Sequence, residues 1–340
     1  MKKAAILLVI IVSISSANIK IQAQSDLFLS KSPEVIAFGS CSFQFNKQEY
    51  WKEVSKNNPD IWIWLGDNIY ADTRDTAVLR KKYRQQMNQP NYVAFKSKTP
   101  IIGTWDDHDM GVNDADRYYE HKALAKEFFW DLMDEPKNSP LRKRNGIFRS
   151  VLLGPEGKQV KVILTDLRYL KQKPGKDSSM LGEEQWIWLE KELLESKAQI
   201  NIIGSGIQFL SNKMLAESWK EFPTDRERLW KLLQKQGKYN TIIISGDIHS
   251  AELLSAKYPD ASGLELFEFT SSGLTHSNWF FPIEENKYTA ETDFFGKNFG
   301  IIQISYGETM RISLQVKNMK NKTVRELLLG TDKNGRLIRL

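Results

Sequence analysis

Apolar residues fall along this chain in two rhythms. Short, nearly continuous apolar runs end on glycine, serine or an acid, and between them longer stretches repeat apolar positions at helical spacing. A run such as Ile61-Trp62-Ile63-Trp64-Leu65 has no polar face, the pattern of a strand covered on both sides. On this reading strands are expected at Glu34–Gly39, Asp60–Leu65, Pro100–Trp105, Ile147–Leu153, Gln159–Thr165, Ile200–Ser205 and Thr241–Ser245. Four more are expected at Leu264–Thr270, Phe299–Ser305, Met310–Val316 and Val324–Leu329. Helices are expected at Lys47–Asn57, Arg74–Asn88, Ala115–Met133, Leu181–Ser196 and Pro223–Gln236. Strands alternate with helices at first and later become helix-poor, which predicts an α/β fold with a mixed sheet completed by hairpins. The loops Glu135–Asn145 and Lys171–Ser179 are too weak as linkers to split the chain, so residues 25–340 read as one domain.

The N-terminus departs from both rhythms. Lys2 and Lys3 precede an apolar run from Ala4 to Ile14, followed by Ser15-Ser16-Ala17. That order predicts a signal peptide over residues 1–23, cleaved after Ala17 or near Ala23, and hence a periplasmic or secreted protein; an uncleaved anchor is the alternative. The run is short for a bilayer span, and no later segment is long enough for one. Hydrophobic residues make up 41% and charged residues 26% of the 340, which excludes collagen, coiled coil and a disordered tail. The net charge of +6 drops to +4 without Lys2 and Lys3, and to +3 if Lys20 is also removed. This mild excess favours anionic substrates, but no basic block or motif points to nucleic acid. Cys41 is the sole cysteine, so no intrachain disulfide forms. It reads either as a small buried hydrophobe or as a metal-bound thiolate.

Four motifs place metal-competent side chains just after an expected strand, where α/β sheets bind their ligands. They are Phe38-Gly39-Ser40-Cys41, the run Trp64-Leu65-Gly66-Asp67-Asn68-Ile69-Tyr70, Thr104-Trp105-Asp106-Asp107-His108-Asp109 followed by Asn113, and Ser245-Gly246-Asp247-Ile248-His249. Three carboxylates and an imidazole in four consecutive positions crowd like charge, which a cation or protons must relieve. Oxygen donors suit calcium or magnesium, whereas imidazole and thiolate favour iron or zinc. The mixture suggests more than one ion, with Asp67 as a bridge. Paired metals suit phosphoryl chemistry, in which one activates water and both neutralise charge at the transition state.

The blocks FGSC, WLGDNIY, TWDDHD and SGDIH resemble the signature of the PhoD-like family, the alkaline phosphatase D metallophosphoesterases. LGEEQWIWLEKEL, ESWKEFPTDRERLW and FTSSGLTH follow in matching order, so the resemblance runs from about Val35 to Ser277. It implies a calcineurin-like metallophosphoesterase fold, a two-sheet sandwich flanked by helices, and an Fe3+ ion held partly by cysteine and tyrosine with Ca2+ nearby. Carried over residue by residue, the metal ligands would be Cys41, Asp67, Tyr70, Asp247 and His249, with Asn113 as an amide-oxygen ligand. Asp109 departs from the family, which usually has glutamate there. The extra N-terminal sandwich domain of some members is not expected.

The remaining residues divide between site and scaffold. Asp107 and His108 are either ligands or partners that orient ligands. His276, in a Ser-Ser-Gly-Leu-Thr-His loop, is either a cleft residue or a turn residue. Asp106 reads as a loop cap, His121 as a solvated or packing residue, and Arg142-Lys143-Arg144 as a solvated loop. Trp62, Trp64, Trp186 and Trp188 read as core, while Trp219 and Trp279 could line a cleft. The leading expectation is an exported phosphoester hydrolase that uses metal-activated hydroxide. In it His249, with His108 or His276, would contact phosphate or protonate the leaving oxygen. The alternatives are a phospholipid-directed phosphodiesterase on the same scaffold and a non-catalytic surface-binding protein that keeps the fold.

Overall fold

The computed structural model describes residues 30–214, 216–278 and 286–340; the expected signal peptide and Trp279 lie outside them. Two seven-stranded sheets pack face to face, and helices cover both outer faces. The first sheet contains β1 (Val35–Gly39), β2 (Ile61–Leu65), β3 (Ile101–Thr104), β11 (Asn298–Ser305), β12 (Arg311–Asn318), β13 (Thr323–Thr331) and β14 (Leu337–Arg339). Its order is β14-β13-β12-β11-β1-β2-β3. The second contains β4 (Arg149–Leu153), β5 (Val160–Leu164), β6 (Ile200–Ser205), β7 (Thr241–Ser245), β8 (Ala251–Lys257), β9 (Glu265–Ser271) and β10 (Thr289–Phe294), in the order β10-β8-β9-β7-β6-β5-β4. The motif-bearing strands β1, β2 and β3 run parallel in one sheet, and β7 and β9 run parallel in the other.

The strand β2 shows why its run is apolar on both faces. Ile61, Ile63 and Leu65 join Val162, Ile202 and Ile244 between the sheets. Trp62 and Trp64 point into the outer layer, where Trp51 of α1 (Tyr50–Ser55) lies 4.8 Å from Trp62 and 4.8 Å from Phe95 of the helix Pro90–Lys96. Each large apolar side chain buried in this way contributes about 1.5–3 kcal/mol. The other outer layer packs Ile163, Ile203 and Ile243 against Trp186 and Leu189 of the helix Gly182–Leu194 and Leu229 of the helix Pro223–Gln236.

Several sequence expectations need correction. The helix expected over Ala115–Met133 forms only at Lys122–Leu132, because the Asp116 side chain accepts the Tyr118 amide at 2.8 Å and holds a turn there instead. Arg142 is not solvated: it is buried and bridges Glu127 and Asp131, at 2.7 Å each. Trp219 lines no cleft; it is buried, and its indole donates to Ser205 Oγ at 3.1 Å. His121 keeps its packing role, edge-on to Tyr119. Among the described residues, no helix is long and apolar enough to cross a membrane.

Candidate metal centre

The loops that leave β1, β2, β3, β7 and β9 meet at one edge of the sandwich. Backbone bonds tie them together: Cys41 donates to Gly66 O at 3.3 Å, Ser42 to Asp67 O at 2.9 Å, and Thr275 to Cys41 O at 3.3 Å. Cys41 (φ 60°), Asp67 (φ 49°), Asp247 (φ 73°) and His249 (φ 55°) in these loops adopt left-handed backbone. Such conformations persist only where the surroundings over-determine them, and they concentrate at functional sites. Gly66 shows how tight the convergence is: at φ 96°, a Cβ there would lie 2.6 Å from Asp106 Cβ.

The side chains converge as well. Cys41 Sγ lies 3.5 Å from Asp67 Oδ2, 3.0 Å from Ser272 Oγ and 3.7 Å from the Asp247 carbonyl. The Tyr70 hydroxyl donates to the same Asp67 Oδ2 at 3.1 Å, and sits 3.2 Å from His249 Nε2 and 3.0 Å from His276 Nε2. The two imidazole Nε2 atoms are 3.1 Å apart. Two sets of donor atoms each fall within 4.8 Å, Cys41 with Asp67 and His249, and Asp67 with Asp107 and His108; Asp67 belongs to both. His108 is held from behind by Asp72, whose carboxylate is 2.6 Å from Nδ1. Asp72 itself has φ 44°. Thr275 Oγ1 donates to Cys41 O at 3.3 Å and is 3.1 Å from His276 Nδ1. On that network the His276 proton is assigned to Nδ1, which leaves the Nε2 lone pair facing the cluster.

The electrostatics fit a cation-binding set. Burial, then the Asp247 charge, pushes the Cys41 thiol up to about 12. Burial, then neighbouring acidic groups, raises the Asp67 and Asp247 carboxyls well above the usual range and lifts the Tyr70 phenol above its own. So many buried acids cannot ionise together unless a positive charge sits among them. Asp67 Oδ1 and Asn68 Oδ1 are buried with no hydrogen-bond partner among the described residues, an arrangement that leaves acceptor capacity for an ion. Burial and the neighbouring His249 lower His276 to about 3, so it is neutral and able to act as a ligand.

The PhoD-like phosphatase family model matches residues 36–320, most of the chain. The chain belongs to the PhoD-like phosphatase family. Alkaline phosphatase D of Bacillus subtilis (strain 168) is 24% identical over 276 residues, an alignment covering 63% of this chain and 46% of the relative. This chain therefore matches about half the length of that relative. Its fold is similar to a solved PhoD structure, with TM-score 0.70 and 18% identity over 92% of this chain and 72% of that one. It is also similar to a purple acid phosphatase from yellow lupin (Lupinus luteus) seeds, with TM-score 0.64 and 15% identity over 90% of this chain and 55% of that one. A dimetal phosphatase from Danio rerio gives TM-score 0.56 and 11% identity over 88% and 99%.

Of the residues expected at this PhoD-like site, Cys41, Asp67, Tyr70, Asp107, His108, His249 and His276 lie together. Asp247 adjoins them through its backbone, and its carboxyl feels the charges of Asp106, Glu217 and Asp107. Asn113 does not join them through any hydrogen bond of its own: it is exposed, and its amide donates to Asp114 Oδ2 at 2.7 Å. Asp109 has a structural task, accepting the Ile69 amide at 3.1 Å and the Asp106 amide at 2.9 Å, which locks two motif loops together.

Sequence reasoning missed Arg168. It is 1% exposed, ion-paired through Nε with Asp106 Oδ1, 2.7 Å from Glu217 Oε2 and 3.8 Å from Asp107 Oδ1. Burial works against ionisation of Asp107, yet Arg168 and His108 outweigh it and hold that carboxyl below the usual range. The signal was available, since Asp166-Leu167-Arg168 follows an expected strand as the four motifs do. Asp166 there is no ligand: its oxygens accept from Trp105 Nε1, Ile147 N, Arg168 N and Tyr169 N at 2.8–3.0 Å.

Proposed function

We propose that this chain hydrolyses phosphoesters with the help of two bound metal ions. One observation carries the reading: Asp67 is shared by two adjoining donor sets, one containing a thiol and the other a second carboxylate. Cys41, Tyr70, Asp67 and His249 would hold Fe3+, whose charge suits a thiolate, a phenolate and a carboxylate beside one neutral imidazole. Asp67 and Asp107 would share the second ion, Ca2+, with Asp247 contributing at the pair and Asn113 a weaker claimant. When bound, such ions supply positive charge for the phosphoryl oxygens and make water more acidic.

The chain's own groups then have defined tasks. Burial disfavours charge on His108, yet its Nδ1–H bond to Asp72 and the nearby Asp67 and Asp107 raise the imidazole to about 9, so the ring is cationic and its Nε2–H is the one that donates to a phosphoryl or leaving oxygen. Thr275 holds His276 with its Nε2 lone pair toward Tyr70 and His249. Arg168 keeps Asp107 ionised from beneath. Water is the nucleophile, and no covalent enzyme intermediate forms. We further read residues 25–340 as one catalytic domain and, from Lys2-Lys3 and the apolar run behind them, the protein as exported.

Hydrolysis of bis(p-nitrophenyl) phosphate and p-nitrophenyl phosphate by metal-loaded protein tests the reading. Asp67→Ala and Asp247→Ala should each lower turnover by about a hundredfold or more while circular dichroism stays that of the wild type. Near-wild-type turnover in either variant contradicts the role given to that residue.

A further inference from the structure

A stack of three rings leads out of the candidate centre. His276 packs on Phe43 with ring centroids 4.2 Å apart and planes 23° off parallel. Phe43 packs in turn on Phe45 at 5.0 Å and 22°. Phe43 also lies 4.4 Å from the Tyr70 ring. Phe45 is 61% exposed although one face of its ring is stacked on Phe43. A single exposed apolar residue needs no explanation, but an exposed ring that ends a stack rising from the catalytic cluster does.

The loop that carries Phe45 is held on both sides. The Gln44 side chain accepts the Tyr70 amide at 3.0 Å and donates to the Tyr70 carbonyl at 3.1 Å. Gln89 Nε2 donates to the carbonyls of Gln44 and, at 3.3 Å, Asn46, which flank Phe45. The Phe43 amide donates to Thr275 Oγ1 at 2.8 Å, and the Asn46 amide to Phe43 O at 3.1 Å. With its neighbours fixed in this way, the chain presents the Phe45 ring to solvent at no further ordering cost to a ligand.

We propose that Phe45, backed by Phe43, is a stacking platform for a planar ring on the alcohol side of the phosphoester. This inference rests on the hydrolase reading and names its substrate class. Spacing selects among ring-bearing esters. The two ring-to-ring steps of 4.2 and 5.0 Å set Phe45 as much as about 9 Å from the His276 ring. A ring bonded straight to the phosphate oxygen falls short of the outer platform, whereas a ring set off by a sugar-sized spacer reaches it. The chemistry that matches is a nucleoside phosphate: an anionic ester at the cations, a sugar between, and a base on Phe45. Stacking of this kind tolerates any base, since each has a π-face.

The test compares two esters that share the sugar phosphate and differ in the base, adenosine 5′-monophosphate and ribose 5-phosphate. For each, KM is measured with wild-type and Phe45→Ala protein, or Ki against p-nitrophenyl phosphate where the compound is not turned over. Wild-type protein should prefer the nucleotide by roughly fivefold to tenfold or more, the scale of one base–aromatic stack. Phe45→Ala should erase that preference by weakening the nucleotide alone, with kcat for p-nitrophenyl phosphate unchanged. Phe45→Tyr, which keeps a ring, should retain it. Equal constants for the two compounds in the wild type, or an undiminished preference in Phe45→Ala, overturn the platform and leave the hydrolase reading standing. Failure of the wild type to hydrolyse any phosphoester overturns that reading, and the platform with it.

Discussion

Replacing Arg168 by Met keeps an apolar stem of similar length and removes the guanidinium. In the wild type that group and Asp106 are each 1% exposed, and Asp106 Oδ2 already has no hydrogen-bond partner among the described residues. Without Arg168, Asp106 loses the partner of its other oxygen and Asp107 loses its nearest cation, while Glu217 keeps Lys171. Stripping one partner from a buried ion pair costs about 3–5 kcal/mol, because the remaining charge is neither solvated nor paired. Urea unfolding followed by tryptophan fluorescence, with chelator present so that metal does not contribute, should therefore show a loss of about 3–4 kcal/mol. Adding Asp106→Asn to Arg168→Met removes the stranded charge and should restore about half of the loss, a non-additivity expected only of groups in contact. A loss under about 1 kcal/mol, the worth of a solvated surface pair, would refute the view that Arg168 is the buried counter-charge beneath the site.

Three further outcomes follow from the same geometry. Asp225 accepts from Ser179 Oγ at 2.9 Å, Met180 N at 2.7 Å and Trp186 Nε1 at 3.1 Å, so Asp225→Ala should cost about 2–3 kcal/mol in urea unfolding without changing KM. Gly66→Ala combines φ 96° with a Cβ contact of 2.6 Å to Asp106, so it should lower both thermal stability and turnover, and wild-type behaviour would show that the loop has slack. Metal added to chelator-treated protein should raise the melting temperature, by the equivalent of about 2.7 kcal/mol at a hundredfold excess over Kd, and this rise should vanish in Asp67→Ala.

The fold was legible where hydrophobic pattern alone decides it. The eleven expected strands all form, and the helix at Pro223–Gln236 has the bounds that Pro223 and Gly237 announce. The strand β8 was hidden because Ala251-Glu252-Leu253-Leu254 has helix-forming residues, and only pairing with β9 and β10 makes it extended. The strand β10 was hidden because Thr289–Phe294 is a largely polar edge strand. At the site, Cys41, Asp67, Tyr70 and His249 announced themselves as donors ending apolar runs. Asp72 and Ser272 did not, since their tasks are defined by His108 and Cys41, far away in sequence, and the place of Arg168 after a strand marks it without naming its distant partner Asp106. The aromatic stack was equally silent, because nothing local in Phe43-Gln44-Phe45 shows that one ring faces His276 and the other solvent.

The most direct measurement is elemental analysis together with the visible spectrum of untagged protein purified without chelator. Thiolate from Cys41 and phenolate from Tyr70 on Fe3+ should give a coloured charge-transfer band that accompanies stoichiometric iron and is altered in Cys41→Ser. A colourless, iron-free preparation that hydrolyses phosphoesters at full rate would contradict the proposed metal centre.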